Sequence, residues 1–258
     1  MSRILIVARN TFREAVRDRV LYNLVFFALL MIAAAVVVGQ ISVAIENVVM
    51  VSLGLSAVSL IGLLIAIFTG VGLVSKEIDK RTLHAVLAKP LHRWEFLLGK
   101  FAGLVMTLAV NTAAMAAGLF LAMLFVKHSL VRGDAVVLVA VYLILLKLAL
   151  VVALAMLFSC FTSPLLAILF TAGIYVAGLS VSQLRSLQTT HLDAPTQRLF
   201  SVLSYVLPNF ENYDVMGAAA HGRTIPASLV LHATLYTLLY CGIVLTAAAV
   251  IFSRKDLK

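Results

Sequence analysis

Six long apolar runs separated by short polar segments constrain this chain more than any other feature. They cover residues 21–39, 48–74, 101–126, 135–158, 165–181 and 228–252. A helix needs about 20 mostly apolar residues to cross a bilayer core of roughly 30 Å. None of the runs alternates with the two-residue period of a barrel strand, and backbone groups in lipid must find partners, so helices are favoured. The fifth run is the shortest, and Gly178, Ser180 and Ser182 stand where it extends or ends. Charged residues make up only 12% of the chain, about half the share usual in soluble domains. The expected fold is an all-α, multi-pass membrane protein with six transmembrane helices.

The first run does not read as a cleavable signal peptide. It is long, ends at Gln40 without a small-residue cleavage pattern, and follows a polar-rich stretch. A net charge of +9 raises nucleic acid as a partner, but the placement of the charge argues for topology instead. With the N-terminus in the cytoplasm, five Lys and Arg precede residue 21, six lie in residues 75–100 and three follow residue 252. Only Lys127, Arg132, Arg185, Arg198 and Arg223 fall outside, and Lys147 lies within a span. Positive charge kept on one side is the orientation signal of membrane insertion. Both termini are therefore expected in the cytoplasm, with the lipid bilayer and not nucleic acid as partner.

Residues 1–20 form a unit of their own. Ile4, Leu5, Ala8, Phe12, Ala15 and Val16 share one helical face, while Arg9, Arg13 and Arg17 repeat every four residues on another. Such a helix lies in the interface plane with its arginines among anionic headgroups. Arg19 falls on the apolar side, where it can snorkel. Residues 21–258 form the transmembrane domain. One outer segment is long, residues 183–227, and it precedes the last span. Leu199, Val202, Leu203 and Val206 recur there at helical spacing, which predicts a short surface or re-entrant helix.

The chain shows no catalytic or metal constellation. Gly99-Lys100 is followed by Phe101 where a phosphate loop needs Ser or Thr, so no nucleotide cofactor is expected on this chain. His84, His92, His128, His191, His221 and His232 lack metal-ligand spacing, and Cys160 and Cys241 fall in or beside spans. There is no Gly-x-Ser-x-Gly elbow and no acid within a span. An intramembrane enzyme is disfavoured.

Residues 75–100 are the densest polar stretch, SKEIDKRTLHAVLAKPLHRWEFLLGK. Residues 82–89 can form a short helix with Leu83, Val86 and Leu87 on one side. Pro90 interrupts it by disfavouring helix at the residue before it. A second helix starts at Arg93-Trp94-Glu95, placing Trp94 at interface depth. A solvated loop would not need these apolar residues. Glu77, Thr82-Leu83, Leu87-Ala88-Lys89-Pro90, Arg93, Glu95 and Gly99-Lys100 resemble the signature between the second and third helices of ABC type-2 exporter permeases. The resemblance runs over nearly the whole chain, although Arg81 stands where many relatives have Gly. Pro208-Asn209-Phe210-Glu211-Asn212-Tyr213 looks like a segment of the branch associated with multicopper-enzyme maturation. The resemblance implies a permease in a bacterial inner membrane, paired with a second permease and two ATP-binding subunits that carry ATP and magnesium. It further implies that Glu77, Thr82, Leu83, Val86, Leu87, Pro90 and Arg93 belong to the coupling loop, and it draws attention to Pro208, Asn209 and Glu211 outside.

Polar positions inside the spans are few. Gly103, Thr107, Asn111, Ala114 and Gly118 form a small-polar stripe suited to close helix contact, and Asn111 is a candidate for the substrate path. Ser52, Ser56 and Ser59 with Gly54 and Gly62 read as packing positions. Lys147 is too deep to reach water easily, and its insertion costs roughly 2.5–3.5 kcal/mol on translocon scales. It is expected to face the bundle interior or a dimer interface, bonded to backbone carbonyls or to Asn111. With no charged pocket legible in the spans, the expected cargo is hydrophobic or amphipathic. The rival reading is a non-transporting scaffold or assembly factor that moves its outer segment mechanically.

Overall fold

The computed structural model describes residues 3–41, 45–79, 93–128, 132–183 and 194–254, and all their regular structure is helical. Named in chain order, the helices are α1 (Arg3–Val16), α2 (Arg19–Ile41), α3 (Glu46–Asp79), α4 (Arg93–Lys127), α5 (Val136–Ser159), α6 (Pro164–Gly178), α7 (Ala194–Val206), α8 (Met216–Ala220) and α9 (Ala227–Arg254). Short 3-10 turns lie at Arg132–Ala135 and Glu211–Tyr213.

Five helical segments are long and apolar enough to cross a bilayer: Leu21–Ile41, Glu46–Gly72, Trp94–Lys127, Gly133–Ser159 and Ala227–Ser253. The sixth expected span differs. Residues 165–181 give α6, which has 15 residues and a length of roughly 22 Å at 1.5 Å per residue. It starts sharply because Pro164, with its preset φ and no N–H, occupies the first turn after the extended Ser163. It stops at Gly178 because the chain of residues 208–210 packs directly across its end, as described below.

α3 and α5 are the centre of the bundle. From Lys147 to Met156 every residue of α5 is buried, the pattern of a helix surrounded on all sides. Glycines of α3 admit its neighbours: Gly54 faces Leu119 of α4, Gly62 faces Leu148, and Gly70 faces Val152 and Ala155 of α5. α2, α4 and α9 pack around this pair and turn large apolar side chains outward, among them Phe26, Phe27, Leu121, Phe125, Leu239 and Ile243. Outward Leu and Phe faces suit a lipid solvent.

Two helices are longer than a bilayer core is thick. α3 has 34 residues and α4 has 35, roughly 50 Å each, against a core of roughly 30 Å. The end of each that leads to residues 80–92, which lie outside the described residues, is its stalk: residues 75–79 of α3 and 93–100 of α4, both helical.

Candidate functional site

At the stalk end, α1 is docked on the base of α4. The contact is close because glycine supplies the room. A Cβ at Gly103 would stand 2.6 Å from the Ala8 carbonyl oxygen and from Thr11 Cβ, and one at Gly99 would stand 2.6 Å from Val7 Cβ. Ala8, Thr11 and Ala15 are accordingly buried, while Leu5, Arg9, Arg13 and Arg17 stay exposed. The face against the protein is therefore the small-residue face, and the helix has a separate apolar flank in Leu5, Phe12 and Val16. Lys100 is buried beneath α1. Its Nζ lies 3.7 Å from Glu14 Oε2 and 5.6 Å from the centre of the Phe96 ring. Phe96 stacks on Phe252 near the end of α9, with ring centres 6.4 Å apart. One cluster thus ties α1, the α4 stalk and the last helix together beside the polar stretch.

Glu77 lies in the last turn of α3 and Arg93 opens α4, while Thr82, Leu83, Val86, Leu87 and Pro90 lie outside the described residues. The side chains of Glu77, Arg93 and Arg19 are likewise not described. Trp94 is 49% exposed.

Lys147 faces the interior, 4% exposed. Its ammonium donates to Ser59 Oγ at 2.6 Å and sits 5.9 Å from the centre of the Tyr175 ring. Three helices, α3, α5 and α6, therefore meet at this group. Asn111 is not the partner of Lys147. It is 6% exposed, and its Nδ2, like Thr112 Oγ1 beside it, has no hydrogen-bond partner among the described residues. The small-polar stripe also divides: Gly103 meets α1, Gly118 meets Leu29 of α2, and Ala114 is exposed.

The segment after α7 folds back into the bundle. Phe210 N–H donates to the Gly178 carbonyl at 3.1 Å, closing the end of α6. A side chain at Gly178 would collide with the Pro208 carbonyl and the Phe210 ring. Phe210 packs on Tyr175 at 5.0 Å between ring centres. Asn209 N–H donates to the Tyr236 hydroxyl, and Asn209 Oδ1 accepts from Glu211 N–H, both at 3.1 Å. Glu211 Oε1 accepts from Ser182 Oγ at 2.7 Å. The Tyr213 hydroxyl lies 2.7 Å from Thr237 Oγ1, which itself donates to the Ala233 carbonyl, so tyrosine is the donor. Met216 Sδ lies 3.6 Å from Ser56 Oγ, whose proton goes to the Ser52 carbonyl at 2.8 Å. Ser56 and Thr237 are each about ten residues inside their helices, roughly 15 Å below the ends. Phe210 and Tyr213 are almost wholly buried. The sequence pattern expected a short surface or re-entrant helix around residues 199–207. The structure has a helix there, α7, whose Tyr205 is 81% exposed, and the inward packing belongs to residues 208–220.

The model of the family described as ABC-2 family transporter protein matches residues 5–257. The chain belongs to the ABC-2 transporter family. As an ABC-2 member it is the permease, the membrane subunit of an ABC transporter, a multi-pass protein rather than the component that hydrolyses ATP. Members of this family work with ATP-binding subunits in a membrane complex. The match gives the family and no branch, so the likeness to multicopper-enzyme-maturation permeases rests on Pro208–Tyr213 alone. No curated protein matches the chain. Sequence reasoning named Lys147, Pro208, Asn209 and Glu211; it gave Lys147 backbone carbonyls or Asn111 where the structure has Ser59, and gave the other three no partners. Ser59 reads as packing, and Tyr175, Tyr236 and Thr237 carry no signal beyond being polar groups in apolar runs.

Proposed function

We propose that this ABC-2 permease moves a hydrophobic or amphipathic substrate across a bacterial inner membrane, driven by two separate ATP-binding subunits that hold ATP and magnesium. The observation that carries the reading is the family match over residues 5–257, and the two projecting stalks give it a mechanical form. Residues 80–92 sit between rigid extensions of α3 and α4, so a force applied to them passes into the central helix of the bundle and its neighbour. A second permease, identical or related, completes the complex. Both termini lie in the cytoplasm, α1 lies at the membrane surface at the level of Gly99–Gly103, and α6 with the folded-back segment makes the remaining crossing.

In this reading Thr82, Leu83, Val86, Leu87 and Pro90, flanked by Glu77 and Arg93, form the coupling helix. Leu83→Asp with Leu87→Asp places unpaired charge in the contact, at several kcal/mol where those positions are buried. The ATP-binding subunit should then be lost on co-purification while the permease still inserts. Co-purification at unchanged yield would refute the site. The attachment of residues 208–216 to α3, α6 and α9 supports a second reading, in which the same drive moves this outer segment without passing substrate. ATP-dependent flux of a lipid-like probe in proteoliposomes favours the first, and ATP-dependent motion of the segment without flux favours the second.

A further inference from the structure

We infer that Lys147 and Ser59 form a binding site for the negative head group, carboxylate or phosphate, of an amphiphile that enters along α3. An ammonium has three N–H donors. One of them has an acceptor, Ser59 Oγ at 2.6 Å, and the Tyr175 ring covers another side at 5.9 Å. Among the described residues no other acceptor meets Lys147, although it is 4% exposed. The six apolar runs contain no acid. The folded-back segment brings two, but Glu211 accepts from Ser182 Oγ at 2.7 Å, and Asp214 is exposed with its Oδ1 on Met216 N–H at 3.3 Å. A charge buried in a span calls for a counter-charge or a cavity, and water supplies hydrogen bonds but no counter-charge. The adjoining α4 shows the same shortage of acceptors. Asn111 Nδ2 and Thr112 Oγ1 are buried without a partner among the described residues, whereas Thr69, Thr107 and Thr171 each give their proton to the carbonyl four residues back. What this interior has to spare is donors and one positive charge, and a head group rich in acceptors and negatively charged answers both.

The way in is written on α3. Leu53, Ser56 and Leu60 share one face by their helical spacing, and all three are exposed, the leucines by 43% and 50%. The strip offers apolar surface to a hydrocarbon tail and one hydroxyl to a head group. Ser59 stands one turn further, about 5 Å along the axis, and leads directly to the ammonium. Met216 Sδ, 3.6 Å from Ser56 Oγ, is the side chain of the folded-back segment beside this strip, and an unbranched thioether repacks easily. A neutral or cationic head group would gain nothing from Lys147, so the sign of the charge sets the specificity. The site deepens the permease reading by giving its amphipathic substrate a negative head, and it rests on that reading only for calling the ligand a substrate.

The test uses the purified full chain in a neutral maltoside detergent, with thermal unfolding as the readout and decyl phosphate as the probe. At about a hundred times its half-saturating concentration, decyl phosphate should raise the unfolding midpoint by about 5–10 °C. Decanol, which has the tail without the charge, should leave it unchanged. Lys147→Met, whose own midpoint shows whether it folds, should lose the shift, and Lys147→Arg should keep most of it. The arginines of α1 also attract phosphate, so Arg9→Gln, Arg13→Gln and Arg17→Gln combined should keep the shift whole. A shift that survives in Lys147→Met, or that decanol reproduces, would overturn the site. An equal shift with inorganic phosphate would assign Lys147 to free anions and overturn the amphiphile. No ATP-binding subunit takes part in this measurement, so its failure leaves the permease reading intact. Retention of ATP-binding subunits by the loop variants would bear on that reading alone.

Discussion

Ser59→Ala and Lys147→Met remove opposite ends of one hydrogen bond, and the chemically smaller change should be the more damaging. In Ser59→Ala the ammonium remains, 4% exposed, with only the Tyr175 ring 5.9 Å away. Losing a hydrogen bond to a charged group costs about 1.5–3 kcal/mol. In Lys147→Met the apolar stem is kept and the ammonium is gone, which recovers roughly 2.5–3.5 kcal/mol of insertion cost. The orphaned Ser59 hydroxyl can turn to the carbonyl four residues back, as Ser56 does to Ser52 and Thr69 to Ile65. The gain and the lost bond therefore nearly cancel. Thermal unfolding of the purified chain in detergent, followed with a thiol-reactive fluorophore, measures the difference, since Cys160 and Cys241 are buried thiols outside any disulfide. At about 2–4 °C per kcal/mol for a chain of this length, Ser59→Ala should lower the midpoint by roughly 4–8 °C. Lys147→Met should stay within about 2 °C of the parent by the same scaling. The double variant should resemble Lys147→Met, having no ammonium to strand. A midpoint lower in Lys147→Met than in Ser59→Ala, or additive losses in the double variant, would refute the account.

Gly103→Val drives methyl groups against the Ala8 carbonyl and should loosen α1 at about 1–3 kcal/mol of overpacking. Faster tryptic cleavage at Arg9, Arg13 and Arg17 is the expected result, and an unchanged rate would count against the docked geometry. Tyr213→Phe deletes the bond to Thr237 while keeping the buried ring, so it should cost about 1 kcal/mol and lower the unfolding midpoint slightly. A loss as large as that of Ser59→Ala would mean that the hydroxyl does more than anchor the segment. Single cysteines at Glu46, Arg132 and Arg198 should label from outside in intact cells and one at Lys89 should not, following the one-sided distribution of Lys and Arg. The reverse pattern would invert the orientation.

Hydropathy made the long helices legible because the signal lies in contiguous residues. The ends of α2, α3, α5 and α9 fall within a few positions of the apolar runs, except where α3 and α4 continue as polar stalks. A stalk in water needs no apolar run, so composition marks the membrane boundary and not the helix end. Asymmetry around α1 was legible too, but its docking was not. The pattern showed an apolar face and a basic face, whereas the contact with α4 uses Ala8, Thr11 and Ala15, chosen for size and matched to Gly99 and Gly103. Size complementarity between distant glycines and alanines leaves no trace in hydropathy.

The interior shows the same limit more sharply. That Lys147 must have partners follows from the cost of an ammonium at that depth, and so from the sequence. Which partner it has does not, because Ser59 is 88 positions away and competes with every other hydroxyl and amide in the spans. Asn111, with more hydrogen-bonding capacity, is the better guess on chemistry, yet the ammonium goes to Ser59 and Asn111 Nδ2 finds no partner among the described residues. The short α6 is a related case. Seventeen apolar residues in the run 165–181 resemble a deficient span, and the deficiency is supplied by residues 208–220, past a further helix. A run too short to cross, followed by an apolar-aromatic segment rich in Asn, Asp and Glu, is best read as one unit in two pieces. The first piece leaves the space, and the second brings in the backbone donor for the Gly178 carbonyl, the ring for Tyr175 and the hydroxyl for Thr237.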